Sequence, residues 1–325
     1  MTGTLPADIQ AVFDQFITTE YTTVDGRGQP ITWPVTPYYR PGDPCISLTT
    51  GIGYPKKAND ARANERVSLL FSDPTGSGID GAPMVLVQGI ADVDDRDLDA
   101  NANRYEVEAA EKLPAAAAKL PPKPLRKMAA FYFARIYVHV RPERVFVWRG
   151  GLDGEPEIFD SHLEEVRSGH DEEPDVDLAA PEGGAPVWDE RIEQFGDLYP
   201  SATLALVSPD GFPFCVRVPV AADGASRRIR ILAEPAEVPL QPGLACVAGH
   251  HHEEDFTWQR NFHVRGDLVE DDRGWFLMPH KMVGGFEIPP GGPLTVVREN
   301  AKKMRRFRKI AKQELKRREQ RMRPG

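Results

Sequence analysis

With 325 residues, 41% of them apolar and 27% charged, the chain reads as ordinary soluble globular material, long enough for two domains of about 150 residues each. Three widely spaced cysteines, Cys45, Cys215 and Cys246, with no CxxC pair, argue against a disulfide framework and a structural zinc site and point to a reducing cytoplasm. The formal charge of −9 is unevenly spread: residues 298–325 carry thirteen Lys/Arg against Glu299, Glu314 and Glu319, while much of the acid sits in residues 154–184.

The N-terminus lacks the basic region and apolar core of a signal peptide, and no later segment approaches the roughly 18 apolar residues of a membrane span, so a cytoplasmic protein is expected. Ile9, Val12, Phe13 and Phe16 are spaced for a short amphipathic helix capping a barrel end. Residues 16–24 read as a strand, 25–30 as an Asp-Gly hairpin turn and 31–39 as the returning strand, which Pro34 and Pro37 interrupt and part from a sheet neighbour. A third strand, 45–50, opens the stretch 46–73, ISLTTGIGYPKKANDARANERVSLLFSD. There Thr49, Thr50, Gly51 and Gly53 precede Pro55 at a helix start, with Lys56 and Lys57 beside it, an arrangement suited to a phosphate or equally to a solvated polar connection.

Residues 67–71 and 84–93 supply two more strands around a glycine-rich loop, and 97–112 has helical composition. Prolines 114, 121, 122 and 124 break the chain before a second helical piece from Leu125, and two strand-like runs flank Arg141-Pro142-Glu143-Arg144. About six strands with marginal helices predict a small antiparallel barrel. The acidic residues 153–190 read as a linker.

Beyond the linker the pattern returns. Residues 204–213 and 216–220 parallel the first hairpin; Arg228 to Ala233 the third strand; Val264-Arg265-Gly266 parallels Val87-Gln88-Gly89, and Pro279-His280-Lys281-Met282 parallels Pro142-Glu143-Arg144-Val145. The second copy carries Glu234-Pro235-Ala236-Glu237 where the first has its basic turn, so a tandem duplication with one phosphate site is inferred.

The order of strand, Asp-Gly turn, Pro-Val strand, Thr-Thr strand end, Lys57 turn and Glu65-Arg66-Val67 resembles the flavin and deazaflavin split-barrel superfamily, the pyridoxamine-5'-phosphate-oxidase-like group. Asn59 stands where that family often has a second cation, leaving Lys56 and the backbone of 51–53 to compensate. The resemblance implies a mainly β fold of two tandem split β-barrels forming an intramolecular pseudo-dimer: residues 1–152 hold the cofactor, 191–297 complete the pocket, and 298–325 form a basic helix. It implies FMN, with coenzyme F420 as the alternative, hydride transfer to a small-molecule substrate, and room for further dimerisation.

Lys56, Lys57, Thr49, Thr50 and Asn59 are then the phosphate candidates, and Trp33, Val35 and Thr36 the candidates beside the ring, with barrel core as the alternative for Trp33 and Val35. Trp258, Arg260, His280 and Lys281 are the second barrel's candidate contributions. His250, His252 and Glu254 share one face of an extended strand, which keeps a haem-binding, non-catalytic protein as the alternative, but one segment rarely completes a coordination sphere and no metal is assigned. The cysteines read as core thiols. Met304, Phe307, Ala311 and Leu315 form a narrow apolar seam in the basic tail; packing on the acidic body is favoured over nucleic-acid or anionic-membrane binding.

Overall fold

Strand-forming residues, punctuated by Asp-Gly turns, place the apolar positions on the inside of two curled sheets. The computed structural model describes residues 5–120, 129–152, 154–160, 186–233, 238, 240–285 and 293–322, without the side chains of 293–304. The first sheet contains β1 (Thr19–Val24), β2 (Pro30–Val35), β3 (Ile46–Gly51), β4 (Arg66–Phe71), β5 (Met84–Asp94) and β6 (Arg135–Trp148), in the order β2-β1-β4-β5-β6-β3. The second contains β8 (Ser201–Val207), β9 (Pro213–Asp223), β10 (Arg228–Ile231), β11 (Gly243–His252), β12 (Gln259–Asp271) and β13 (Gly274–Gly284), closed as β10-β13-β12-β11-β8-β9. Both follow one cycle, with β1 to β6 in the places of β8, β9, β10, β11, β12 and β13. In the first, β2 stops at Val35 and the β2–β3 side is joined by an isolated bridge between Tyr38 and Ser47. Proline at 34 and 37 removes the donors that continued pairing needs.

The matching registers extend to the irregularities. A bulge lies between Gln88 and Gly89 opposite Pro142, and another between Arg265 and Gly266 opposite Pro279. At each, a glycine permits a close backbone approach: a Cβ on Gly89 or Gly266 would collide with the carbonyl of Arg141 or Met278. The two barrels pack through equivalent strands, β1, β2, β4 and β5 against β8, β9, β11 and β12. Leu70, Leu86 and Trp148 of the first barrel belong to the same buried cluster as the core of the second. Gln29 Nε2 donates to the Ala245 carbonyl (2.9 Å) and Gln88 Nε2 to that of Pro213 (3.0 Å), so both amide nitrogens find acceptors across the interface. The fold is the expected pair of split barrels forming a pseudo-dimer within one chain.

Helix α1 (Ala7–Gln15) buries Ile9, Val12 and Phe13, the last 5.0 Å from the Phe71 ring. Each such side chain contributes about 1.5–3 kcal/mol of transfer free energy. Helix α2 (Lys56–Ala63) turns Ala58 and Ala61 to the same core, and α3 (Leu98–Lys112) starts at Asp97, whose carboxylate accepts from the Asp99 and Ala100 N–H groups.

Several boundaries differ from expectation. The two runs around Pro142 are one strand, β6, because the bulge absorbs Glu143 without ending the ladder. Glu157–Asp160, assigned to the linker, is a seventh strand, β7, paired to β6; its Glu-Ile-Phe-Asp alternation supports an edge ladder despite the acidic surroundings. Residues 161–185, residues 234–237 and the start of the helical piece from Leu125 lie outside the described residues. The C-terminal helix, Pro293–Arg321, begins before 298.

That helix packs on the first barrel. Phe307 lies 4.3 Å from Tyr54, Ala311 is in the core cluster, and the buried Glu314 accepts from Asn59 and Arg321. Arg321 and Arg62 converge on Asp95. The apolar seam ends there, since Leu315 is exposed, and the Met304 side chain lies outside the described residues. Among the described residues no helix is long and apolar enough to cross a membrane.

Candidate functional site

The turn between β3 and α2 satisfies most of its own polar groups. Gly53 N–H donates to the Phe131 carbonyl (2.7 Å), Ile52 N–H to Ala134 (2.8 Å) and Tyr54 N–H to Gly51 (2.8 Å). The glycines at 51 and 53 are therefore explained by the close approach of residues 131 and 132, where a Cβ would clash. Thr50 donates its hydroxyl to the Tyr54 carbonyl (3.0 Å). Lys56 is exposed and pairs with Asp60 (2.9 Å) and Asp25 (3.8 Å), while Asn59 is held between Arg62 (2.7 Å) and Glu314 (3.2 Å).

Lys57 is different. It is half-buried, and no carboxylate or hydrogen-bond acceptor pairs with it among the described residues. Its ammonium lies 5.5 Å from the centre of the Trp33 ring. Burial, with repulsion from Arg135, brings it down to about 8. Arg135 is a second cation without a carboxylate partner among the described residues. It opens β6 opposite Gly51, donates from Nε to the Thr49 hydroxyl (2.9 Å) and from Nη1 to the Tyr132 carbonyl (3.1 Å), and stacks on Tyr105 (4.1 Å) and Tyr132 (5.0 Å).

The second barrel meets this group from β12 and β13. The His263 ring stands edge-on to Trp33 at 4.2 Å and accepts from Arg265 Nε (3.1 Å) at Nε2. Full burial, then the charges of Arg265, Lys57 and Lys281, hold His263 well below the usual histidine range, so it is neutral at physiological pH. Lys281 is exposed on β13, opposite Arg265, and acts on His263 by its charge. His280 instead faces Asp267 (3.2 Å). Trp258 and Arg260 lie elsewhere, with Arg260 over Tyr199 (5.0 Å) and Trp258 beside His251 (5.6 Å). Val35 packs against the core of the first barrel, consistent with the structural alternative for it, and Thr36 follows the end of β2 half-buried.

Sequence reasoning missed Arg135 and His263. An arginine at the head of the strand that returns beside Thr49 and Thr50 was a usable signal for the first. For the second, the repeat alignment already put Arg265 where the first copy has Gln88, marking β12 as more cationic than its counterpart.

Two clefts lie away from this group. One of about 440 Å³ sits between the Asp-Gly turns, lined by Asp25, Gly28, Asn64, Arg66, Gly211 and Gly243. The other, of about 300 Å³, lies beside His250. His250 and His252 lie at the end of β11. Both rings are buried, stacked at 6.2 Å, whereas Glu254 lies beyond the strand end and is exposed. Glu20 is buried with them. Burial alone would raise its carboxyl, but Arg217 and the hydrogen bond from His250 outweigh that and hold it at about 2.

Cys215 and Cys246 are buried, and burial pushes their thiols up to about 12 and about 11, as inert core thiols require. Cys45 is half-buried.

No protein-family model matches the chain, and no curated protein matches it. Solved structures do. A protein related to general stress protein 26, of the pyridoxinephosphate oxidase family, from Clostridium acetobutylicum is 11% identical, covering 49% of this chain and 94% of its own, with a TM-score of 0.34. An F420 reductase is 16% identical over 43% of this chain and 98% of its own (TM-score 0.33), and a FAD-binding protein from Mesorhizobium loti 18% over 44% and 94% (TM-score 0.30). Each match spans less than half of this chain, and at such identities and TM-scores the fold rests on the chain's own strand order.

Proposed function

We propose that the chain binds a flavin-type cofactor, FMN or the deazaflavin F420, at the barrel interface beside Lys57, and uses it to reduce a small molecule. The supporting observation is Lys57 itself: a half-buried ammonium lacking an acid partner, next to Arg135, at the first turn of α2. Two cations left without carboxylates among the described residues, in a partly desolvated place, favour an anion, and the helix start adds to that field. The residues present fit the phosphate end of such a cofactor. Hydride transfer would be supplied by the cofactor ring.

The chain's own part is to bind, orient and exclude water. Lys57 and Arg135 neutralise the phosphate; Trp33 offers an aromatic wall; neutral His263, fixed by Arg265, closes the opposite side from the second barrel. Entry of a ring between Trp33 and His263 requires those two side chains to part. In this reading residues 1–152 supply the anion site and 191–297 the closing wall, as in a tandem duplication that kept one site.

The test is titration of the full chain with FMN and with F420, followed by fluorescence quenching, for the native protein and Lys57→Gln. One cofactor should bind at micromolar concentration, and the variant should bind it at least about tenfold more weakly, the loss expected for one charge-assisted contact. Unchanged affinity in the variant removes the anchor. If neither cofactor binds at that concentration the oxidoreductase reading fails, and a Soret band on adding haem would replace it with a non-catalytic haem-binding protein.

A further inference from the structure

A second cluster, sharing no residue with the Lys57 group, spans the barrel interface at the end of β11. It joins Glu20 of β1, Ser72 and Asp73 after β4, Arg217 of β9, and His250 and His252 of β11. Alternation along the strand places the two histidines on one face, and the pairing of the barrels brings Asp73 to them. Asp73 Oδ2 lies 3.9 Å from His250 Nδ1 and 3.9 Å from His252 Nε2, and the three ligand atoms lie within 4.8 Å of one another.

Each ring is oriented from behind. His252 Nδ1 lies 3.0 Å from the Glu253 carbonyl and donates to it, which leaves Nε2 as an acceptor facing Asp73, with the Thr18 hydroxyl at 3.1 Å. His250 Nε2 lies 2.7 Å from Glu20 Oε1 and 2.6 Å from Arg217 Nη2. Of the two neighbours only the carboxylate can accept a hydrogen from Nε2, and the tautomer that gives it one leaves Nδ1 deprotonated. In that tautomer His250 Nδ1 is a buried lone pair with no hydrogen-bond partner among the described residues, 3.9 Å from Asp73 Oδ2. A buried imidazole nitrogen left this way is costly unless something accepts its electron pair.

We propose that Asp73, His250 and His252 bind one divalent first-row transition cation of the Zn²⁺, Co²⁺ or Fe²⁺ class. Two imidazoles and a carboxylate are the donors such borderline ions take, and a carboxylate behind one imidazole with a carbonyl behind the other is the outer support that metal-binding histidines have. Glu20 and Asp73 against Arg217 leave one net negative charge to attract the ion. Ligand distances of about 2.0–2.2 Å place tetrahedral donors roughly 3.4 Å apart, so the two Asp73 distances close by about half an ångström each and the histidine pair by at most about 1.4 Å, through side-chain rotation. The cleft of about 300 Å³ lined by Ser72, Asp73, Thr75, Tyr199, Arg217 and His250 supplies an entry path and room for water at the remaining positions.

The experiment is Co²⁺ titration of the chelator-stripped full chain, read by visible d–d absorption, with Zn²⁺ competition and metal content measured after desalting. One equivalent should bind and be displaced by Zn²⁺. Asp73→Asn, nearly isosteric, and His252→Ala should weaken binding at least about a hundredfold, each checked by near-ultraviolet circular dichroism for a native fold. His251→Ala, whose exposed ring faces Trp258, and Lys57→Gln should leave it within threefold. Absence of Co²⁺ and Zn²⁺ binding at tens of micromolar overturns the proposal; so does binding that survives both ligand variants, or that falls equally in His251→Ala.

Discussion

Lys57 carries a charge the fold disfavours, and that gives its role a thermodynamic signature apart from any ligand. An unfolded lysine titrates near 10.4, whereas this one is at about 8. Between those values the unfolded chain holds a proton the native chain lacks, so stability rises with pH through that window; below about pH 8 the full penalty applies. Two units correspond to about 3 kcal/mol, which partial solvent access reduces to about 1–2 kcal/mol. Lys57→Met should therefore raise the unfolding free energy by about 1–2 kcal/mol at pH 7 and by little near pH 10.5, measured by urea denaturation at both pH values. An equal gain at the two would assign the effect to packing instead of charge. A bound phosphate reverses the sign, since it restores a partner to the ammonium; above about pH 8 binding must then take up a proton and weaken as pH rises.

The bulges of β5 and β12 are where the sequence was most informative about the elements. Gly89 and Gly266, each faced across the ladder by a proline, mark the same irregularity in both barrels, and the matches Val87-Gln88-Gly89 to Val264-Arg265-Gly266 and Pro142 to Pro279 fall on equivalent registers. Glycine and proline are legible because their backbone demands are local. The site was less legible because its contacts are not local: Asn59 meets Glu314 from the far end of the chain, His263 reaches Trp33 across the interface, and the partner of His250 and His252 is Asp73, not the neighbouring Glu254. No spacing rule within one segment carries such pairings. Gly266→Ala, with its Cβ driven into the Met278 carbonyl, should cost about 1–3 kcal/mol and lower the thermal midpoint, whereas Gly150→Ala, with open space around it, should change stability by less than about 0.5 kcal/mol. Thermal unfolding of both variants decides it, and equal midpoints would mean that the bulge relaxes to admit the methyl.

At the scale of the molecule, the two barrels are each other's missing subunit, and the residues on their shared face are not interchangeable. Leu70, Leu86 and Trp148 lose their cover if the second barrel is removed, so a fragment of residues 1–160 should not persist as a stable monomer. Its own equivalent strands could pair with a second copy, but the match is imperfect at one place. The register sets Val24 opposite Pro30 and Val207 opposite Pro213, which makes Pro34 the counterpart of Arg217. A dimer of first barrels would thus bury Glu20 against a proline where the intact chain supplies a guanidinium. Burying a carboxylate without its cation is strongly unfavourable, on the order of 3–5 kcal/mol when one partner of a buried pair is deleted. The fragment should accordingly associate weakly or aggregate, and Pro34→Arg should tighten its dimerisation by at least about tenfold, a gain of roughly 1.4 kcal/mol recovered from that penalty. Sedimentation across a concentration series reads both: a cooperatively folded monomer at tens of micromolar would mean that the first barrel does not need the second, and an unchanged dimer constant in the Pro34→Arg fragment would mean that Glu20 is solvated there by another route.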